Sequence, residues 1–190
     1  KILILIHMQF SLKQEFALQK KIPIIGKGSI QEIEEKFQKL ISEKYNIIEI
    51  TLRSNVALQT AIKLKEKNPK IKIGLGSITS LSLLKKVSIL NFDFYISPGI
   101  NPAMAEYANK NNISFIPGVA TPSEILTAIE FDLKLLKYFH SERNGGIKSL
   151  KFLNEIFDEI NFIPTGGIDN ENFSSYLNLK NVVAVGSTSF

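Results

Sequence analysis

The feature that most constrains the fold is a regular alternation of short apolar runs with longer amphipathic segments, beginning near residue 22. Short apolar runs bounded by turn residues are typical of buried strands, and the amphipathic segments between them are typical of helices. Strands that alternate with helices form parallel α/β sheets, and eight such units favour a closed TIM-type (β/α)8 barrel over an open doubly wound sheet. The eight predicted strands are Ile22–Gly26, Ile47–Leu52, Ile71–Gly76, Phe92–Ser97, Ile113–Pro117, Leu133–Phe139, Phe162–Thr165 and Val182–Gly186.

Helix start signals support the amphipathic segments. Ser29 followed by Glu32 is a capping box, and Thr121-Pro122 places a proline in the first turn of the helix that it begins. The helices predicted by name are Ser29–Lys44, Val56–Lys67, Pro102–Asn111, Pro122–Phe131, Gly146–Phe157 and Asn170–Leu177.

The length of 190 residues predicts a single barrel domain over residues 1–190. We expect an additional N-terminal helix at about residues 9–19, which would cover the bottom of the barrel. The sequence ends at Phe190, directly after the eighth predicted strand, so we expect the barrel to lack its last helix.

Composition narrows the classes of function. The chain has no cysteine, which excludes disulfides, thiolate catalysis and cysteine-ligated zinc. Its two histidines, His7 and His140, are far apart in the sequence, which argues against a histidine-dominated metal site. The net charge of +5 comes from scattered lysines, which argues against nucleic-acid binding and suits a small anionic substrate. The first apolar run is too short to span a membrane and lacks a cleavage site, so we expect a cytoplasmic protein.

Lys137 stands out because it lies in the apolar segment Leu133–Phe139, just before a Gly-Gly loop. Lysine is almost never buried without a partner, and burial disfavours its charged form. Since a neutral amine attacks ketones, the segment indicates a Schiff-base enzyme. The alternative, which the segment alone favours, is an edge lysine whose aliphatic stem lies along apolar surface while its amine reaches solvent.

A second polar group lies on the second predicted strand. The strand period of two places Glu49, Thr51 and Arg53 on one face and the apolar residues between them on the other. The same period points Lys137 into the space that Glu49 and Arg53 share, and it places Lys134 on the opposite face, toward the helices. Buried charges are costly unless they pair or bind a ligand, so either a ligand site or a structural Glu49–Arg53 pair is expected.

Two loops of small residues follow the last two predicted strands, Pro164-Thr-Gly-Gly-Ile168 and Gly186-Ser-Thr-Ser189. Small residues let backbone N–H groups approach an anion, and barrels of this type often bind phosphate after strands seven and eight. We therefore predict a phosphate site there. Asn144-Gly-Gly146 is a similar loop, which is either a turn that begins a helix or a ligand contact.

The chain resembles the class I aldolase family of 2-keto-3-deoxy-6-phosphogluconate (KDPG) aldolase and 4-hydroxy-2-oxoglutarate (KHG) aldolase. The resemblance extends from about Ile22 to Phe190, and its motifs occur in the expected order. The motifs are Glu49-Ile-Thr-Leu-Arg-Ser54, Gly74-Leu-Gly-Ser77, Ile96-Ser-Pro-Gly99, Ile116-Pro-Gly-Val-Ala-Thr-Pro-Ser123, Leu136-Lys-Tyr-Phe139, Glu142-Arg-Asn-Gly-Gly146 and Pro164-Thr-Gly-Gly-Ile168.

The resemblance implies roles for two catalytic residues. Lys137 falls at the Schiff-base lysine of the family, and Glu49 falls at the carboxylate that shuttles protons through water. Arg53 and Ser77 fall at positions that bind the carboxylate end of the pyruvate unit, although the family more often has threonine in place of Ser77. This chemistry needs no metal or other cofactor.

The resemblance also implies the remaining substrate contacts. Pro98 and Phe139 fall at positions that wall the pocket, while Gly166, Gly167 and Thr188 fall at the phosphate site. The implied partner is a small keto acid phosphate, and the implied assembly is a homotrimer.

The sequence departs from the family pattern near the pocket. The family usually has Lys-Phe-Phe-Pro-Ala where this chain has Lys137-Tyr-Phe-His-Ser141, so His140 replaces a proline. We expect His140 to be either a solvated loop residue or a new polar contact at the pocket mouth. Ser187 occupies a usual glycine position, where it would either crowd the phosphate or offer it a hydroxyl donor.

These observations predict an aldolase that cleaves KDPG to pyruvate and glyceraldehyde 3-phosphate. The same site would suit KHG or 2-keto-3-deoxy-6-phosphogalactonate. A phosphate-binding isomerase or epimerase is a further alternative, but it would have no use for an imine-forming lysine. The non-enzyme alternative is a degenerate barrel that binds phosphosugars without turnover.

Overall fold

Short parallel strands form one sheet in the computed structural model, which describes residues 12–190. The sheet order is β5-β4-β3-β2-β1-β9-β8-β7-β6. Within the described residues the strands are β1 Lys21–Ile25, β2 Ile47–Thr51, β3 Lys72–Gly76, β4 Phe94–Ile96, β5 Phe115–Ile116, β6 Gly118–Val119, β7 Leu135–Phe139, β8 Asn161–Thr165 and β9 Val185–Ser187.

The sheet closes into a barrel through Pro117, the single residue between β5 and β6. Proline has no N–H to donate to a ladder, which explains why one strand is divided into two here. The Pro117 carbonyl still accepts a hydrogen bond of 2.9 Å from the Lys137 amide, so β5 and β6 act together as the fifth strand of the barrel. The predicted (β/α)8 barrel is confirmed.

Helices follow the strands and cover the outside of the barrel. Both predicted start signals are present, since Ser29 and Thr121 each form a complete capping box. The helix Leu81–Ser88 is absent from the predicted set; its N-cap Ser80 accepts a hydrogen bond from the Leu83 amide. The described helices are α1 over residues 12–19, α2 Ile30–Ser42, α3 Ala57–Lys67, α4 Leu81–Ser88, α5 Pro102–Lys110, α6 Pro122–Glu130, α7 Gly146–Ile156 and α8 Phe173–Leu177.

The core has two layers, one between strands and helices and one inside the barrel. Ile48 and Ile50 belong to the outer layer, as the strand period predicts. The inner layer consists of apolar residues near the N-terminal ends of the strands and on α1: Leu12, Phe16, Ile22, Ile47, Phe94, Ile96, Ile116, Leu135, Ile163 and Ala184.

Helix α1 covers the bottom of the barrel. Phe16 is fully buried and meets Phe94 edge-to-face at a centroid distance of 5.2 Å. The Gln19 side chain hydrogen-bonds the amide and the carbonyl of Ile47, which fixes the helix against the start of β2. The predicted helix began at about residue 9, and residues 9–11 lie outside the described range. Within that range, no helix is long and apolar enough to cross a membrane.

Candidate active site

The buried pair Lys137–Glu49 lies inside the barrel near its C-terminal end. Lys137 on β7 and Glu49 on β2 are 6% and 2% exposed, and the lysine Nζ lies 3.3 Å from Oε1 and 3.5 Å from Oε2 of the carboxylate. Each charge is costly to bury alone, so the pair is held by mutual neutralisation. The alternatives of a solvent-exposed edge lysine and of a Glu49–Arg53 pair are both wrong.

Gly76 on β3 makes the space that Glu49 occupies. A Cβ atom at Gly76 would lie 1.9 Å from Glu49 Oε1, which is far inside van der Waals contact. Gly74, two residues earlier on the same face, similarly accommodates the Phe94 ring, which a Cβ would meet at 1.9 Å. The motif Gly74-Leu-Gly-Ser77 therefore admits one apolar and one acidic side chain to the barrel interior.

Arg53 lies beyond the end of β2. The strand ends at Thr51 and not at Leu52 as predicted. Its Nε donates a hydrogen bond of 2.9 Å to Ser77 Oγ, and Ser77 is the only side-chain partner of Arg53 among the described residues. The two Nη groups are left free to grip a carboxylate bidentately.

A cavity of about 420 Å³ opens above the pair, at the C-terminal ends of the strands. This is the end of the barrel at which ligands bind in proteins of this architecture. The predicted site residues that line the cavity are Arg53, Lys137, Phe139, Gly166, Gly167 and Thr188. The other lining residues are Ile24, Gly26, Thr51, His140, Thr165, Ile168, Asp169, Ser187 and Ser189.

Three predicted site residues do not line this cavity. Glu49 lies beneath Lys137, and Ser77 is connected to the cavity through Arg53. Pro98 is exposed after β4, and its carbonyl packs so closely on Gly118 that a Cβ there would lie 2.2 Å from the oxygen. Pro98 thus abuts the divided fifth strand.

The loops after β8 and β9 present unused backbone N–H groups. Gly166 and Gly167 have φ values of 99° and 76°, a left-handed conformation that favours glycine. Within the described residues, no hydrogen bond to a backbone carbonyl is seen for the amides of Gly167 and Thr188, whereas the pairing of Thr165 with Gly186 engages the Gly166 amide in the sheet. The Asn172 Nδ2 donates a hydrogen bond of 2.9 Å to the Gly167 carbonyl, and the Lys36 Nζ donates one of 2.7 Å to the Thr188 carbonyl. Free amides in neighbouring loops at this end of a barrel are suited to binding an anion.

Ser187 is buried in these loops. Its Oγ donates to the Ile168 carbonyl and accepts a hydrogen bond of 3.0 Å from the Ser189 amide. The hydroxyl proton is therefore used within the protein, and the expectation that it is offered to a phosphate is wrong. Ser187 instead ties the loop after β9 to the loop after β8.

The loop after β7 is fixed by a tyrosine on α8. Tyr176 Oη donates to a Glu142 carboxylate oxygen and accepts a hydrogen bond of 3.2 Å from Ser141 Oγ. Burial raises the pKa of Tyr176 to about 12, and its hydrogen bond to Glu142 acts in the same direction. Gly145, with φ 90°, begins α7, so Asn144-Gly-Gly146 is the turn and helix start and does not line the cavity.

His140 lies in the turn after β7, is half-buried and lines the cavity, so it is a loop residue at the pocket mouth. Its ring packs on Gly166, where a Cβ would lie 2.6 Å from the ring Cγ, and its centroid is 5.5 Å from that of Phe139. The Nδ1 atom is buried and has no hydrogen-bond partner among the described residues.

Some cavity residues were not predicted as site residues. Thr51 was placed on the inward face of β2, but no role was assigned to it. Asp169 directly follows the loop after β8, and its Oδ1 accepts from the amides of Glu171 and Asn172, which turns that oxygen toward the start of the next helix. Adjacency to the glycine-rich loop was the available signal for Asp169.

Comparison with known proteins is consistent with this geometry. The family model "Aldolase: KDPG and KHG aldolase" matches residues 12–190. The 2-dehydro-3-deoxy-phosphogluconate aldolase of Dickeya dadantii is 31% identical over 167 residues, which are 88% of this chain and 78% of the relative. The KHG/KDPG aldolase of Escherichia coli K12 is 30% identical over the same shares of the two chains.

A solved structure matches as well. The KDPG aldolase from Legionella pneumophila, with pyruvate captured as a covalent carbinolamine intermediate, superposes with a TM-score of 0.89 at 30% identity. The match covers 93% of this chain and 86% of the Legionella chain.

Proposed function

This chain belongs to the KDPG and KHG aldolase family and is a class I aldolase, and we propose that it cleaves KDPG to pyruvate and glyceraldehyde 3-phosphate with Lys137 as the Schiff-base residue. The observation that carries the assignment is the buried Lys137 amine, 3.3 Å from Glu49 at the base of the cavity. An isomerase or epimerase has no use for this amine, and a degenerate barrel would have no reason to keep both partners.

The Lys137–Glu49 pair supplies the neutral amine that the first step needs. Transfer of one proton from Nζ to the carboxylate leaves a neutral amine beside a neutral acid, with no change in net charge. The amine then attacks the C2 ketone, and loss of water gives a protonated imine. The acid is positioned to supply the proton that this departing hydroxyl requires.

The imine then serves as the electron sink for cleavage. Glu49, again a carboxylate, takes the proton of the C4 hydroxyl through water, the C3–C4 bond breaks, and its electrons form an enamine. Glyceraldehyde 3-phosphate leaves, the enamine takes a proton at C3, and water hydrolyses the imine to pyruvate. Each proton that Glu49 accepts is returned, which suits a single carboxylate beside the amine.

The two ends of the substrate are assigned to opposite sides of the cavity. Arg53, oriented by Ser77, binds the C1 carboxylate, and Phe139 is assigned to the pocket wall. The loops after β8 and β9, at Gly166, Gly167 and Thr188, bind the C6 phosphate, with the free amides of Gly167 and Thr188 as donors. Bonds at both ends orient C2 toward Lys137.

The trap with pyruvate and borohydride tests this proposal. Borohydride reduces the imine to a stable amine, so peptide mass spectrometry should find the added mass on the peptide that contains Lys137. A folded protein that gives no adduct, or gives one on another lysine, would refute the assignment. A coupled assay of pyruvate release from KDPG measures the turnover that a non-catalytic barrel would lack.

KHG is the second candidate substrate, because a relative is named for both activities. KHG has a carboxylate where KDPG has its phosphate-bearing end. The free amides of the two loops favour the phosphate, so we expect a higher kcat/KM for KDPG. The reverse ranking would assign the chain to KHG, and 2-keto-3-deoxy-6-phosphogalactonate tests the preference at C4.

The biological setting follows from the same proposal. Cleavage of KDPG to pyruvate and a triose phosphate is a step of the Entner–Doudoroff pathway, which would place the enzyme in the cytoplasm. The family resemblance supports a homotrimer. Light scattering coupled to size-exclusion chromatography measures the assembly directly.

A further inference from the structure

His140 packs on the glycine-rich loop after β8. It lines the same cavity as Lys137, and its ring lies against Gly166 and reaches toward Gly167. The contact is close, since a Cβ at Gly166 would lie 2.8 Å from Nδ1 and one at Gly167 would lie 3.5 Å from Cε1. The imidazole is therefore adjacent to the group that the loop binds.

The two ring nitrogens have different surroundings. Nδ1 is buried and has no hydrogen-bond partner among the described residues. Nε2 also has no partner there, but it is not buried. Nε2 is thus the nitrogen accessible to a ligand. A buried N–H without an acceptor is costly, so the proton of the neutral ring is better placed on Nε2, where a ligand or water accepts it.

From this geometry we infer that His140 is a specificity-determining residue, whose Nε2 donates a hydrogen bond to the phosphate of the phosphorylated aldehyde half of the substrate. The inference rests on the proposed function and adds a side-chain donor to the backbone amides of Gly167 and Thr188. The hydroxyl of Ser187, which also lines the cavity, already donates its hydrogen bond to the Ile168 carbonyl.

Two variants separate the donor from the ring. His140→Phe keeps an aromatic ring on Gly166 and removes the donor, whereas His140→Gln keeps an amide donor at the approximate position of Nε2. We expect His140→Phe to raise the KM for KDPG by about tenfold, the loss of one hydrogen bond to a charged group, with little change in kcat. His140→Gln should restore most of the affinity.

The matched substrate is 2-keto-3-deoxygluconate, which lacks the phosphate. Its KM should be the same for the wild type and His140→Phe. An equal loss on both substrates, or no loss on KDPG, would overturn the inference. The pyruvate–borohydride adduct keeps the two proposals distinct, because it should form equally in all variants and its absence in the wild type would refute the proposed function instead.

A wild-type measurement does not depend on how the variants fold. The sequence has only two histidines, so protein labelled with ¹⁵N-histidine has two imidazole spin systems, and His7→Gln assigns them. Titration with inorganic phosphate should shift the Nε2 resonance of His140, and titration with pyruvate should shift it much less. An unshifted His140 at phosphate saturation would contradict the inference.

Discussion

At the scale of single residues, Lys137 and Glu49 act as one unit because each neutralises the charge of the other in a buried space. A lone buried lysine would be driven to its neutral form by desolvation. Here the carboxylate at 3.3 Å stabilises the ammonium, and in the proposed mechanism it takes the proton of the amine. Removal of either partner therefore alters chemistry and stability together.

Lys137→Ala should abolish turnover, with a fall in kcat of at least about a thousandfold, because no other described side chain in the cavity supplies an amine. The control is Lys134→Ala. Lys134 was expected to face the helices, but it is exposed before β7 and pairs with Glu159 at 2.5 Å, and an exposed pair contributes only about 0–1 kcal/mol. Steady-state kinetics distinguish the two; wild-type turnover by Lys137→Ala would refute the assignment.

Gly76→Ala tests the position of Glu49 without touching either partner. The new Cβ would fall 1.9 Å from Oε1, so the carboxylate must move away from Lys137. A misplacement of about 1 Å costs about a hundredfold in rate, so kcat should fall by that order.

The matched control is Gly99→Ala, whose Cβ meets nothing within 4 Å. Far-ultraviolet circular dichroism and urea denaturation would establish that both variants fold. Equal kcat values in the two folded variants would mean that the carboxylate does not need its present position.

At the scale of the secondary-structure elements, much of the fold could be predicted because each signal is local. The capping boxes at Ser29 and Thr121 and the apolar strand runs depend only on neighbouring residues, and these elements formed as expected. The division of the fifth strand at Pro117 and the helix α4 were missed. The former depends on the pairing with β7, and the latter begins at the N-cap Ser80, a start signal that was not used.

The site was less predictable from the sequence than the secondary-structure elements. Period-two patterning placed Glu49 and Lys137 inside the barrel, but it gave no distance, so the choice of Lys137 over Arg53 as the partner of Glu49 required the structure. The roles of Ser187 and His140 depend on contacts with Ile168 and Gly166 in another loop, and no periodicity in the sequence encodes such contacts.

The element-scale prediction concerns alkaline unfolding. Burial raises the pKa of Tyr176 and of Tyr95 to about 12, whereas a tyrosine in the unfolded chain ionises near pH 10. The folded state therefore holds these protons more tightly. Their contribution to stability is full below about pH 10 and is lost as the pH rises toward about 12.

We expect the urea midpoint of the wild type to fall between about pH 10 and 12, and the fall to be shallower in Tyr176→Phe. Tyr95→Phe should reduce the slope independently, because Tyr95 hydrogen-bonds the Phe92 amide and the Val87 carbonyl, far from the loop after β7. If the urea midpoint falls with pH as steeply in both variants as in the wild type, the ionisation of these two tyrosines is not the cause of the fall.

At the scale of the whole molecule, the barrel interior is divided between stability and chemistry. Its lower part is filled by the inner apolar layer and closed by α1, while its upper part holds Lys137, Glu49 and the cavity. Barrels of this type separate the two ends in this way, since the C-terminal loops form the site and the opposite end stabilises the fold.

Phe16→Ala tests this division. The ring is fully buried against Phe94 and cannot be replaced by solvent, so its removal leaves a cavity and should lower the free energy of unfolding by about 3–5 kcal/mol. Leu18→Ala on the same helix is the control, because Leu18 is 84% exposed and should change stability by less than about 0.5 kcal/mol.

Both variants should keep the wild-type kcat at a temperature where they remain folded, as measured by pyruvate release after urea titration has established that range. A large fall in kcat for folded Phe16→Ala would mean that α1 also positions the catalytic pair, and that the two ends of the barrel are coupled.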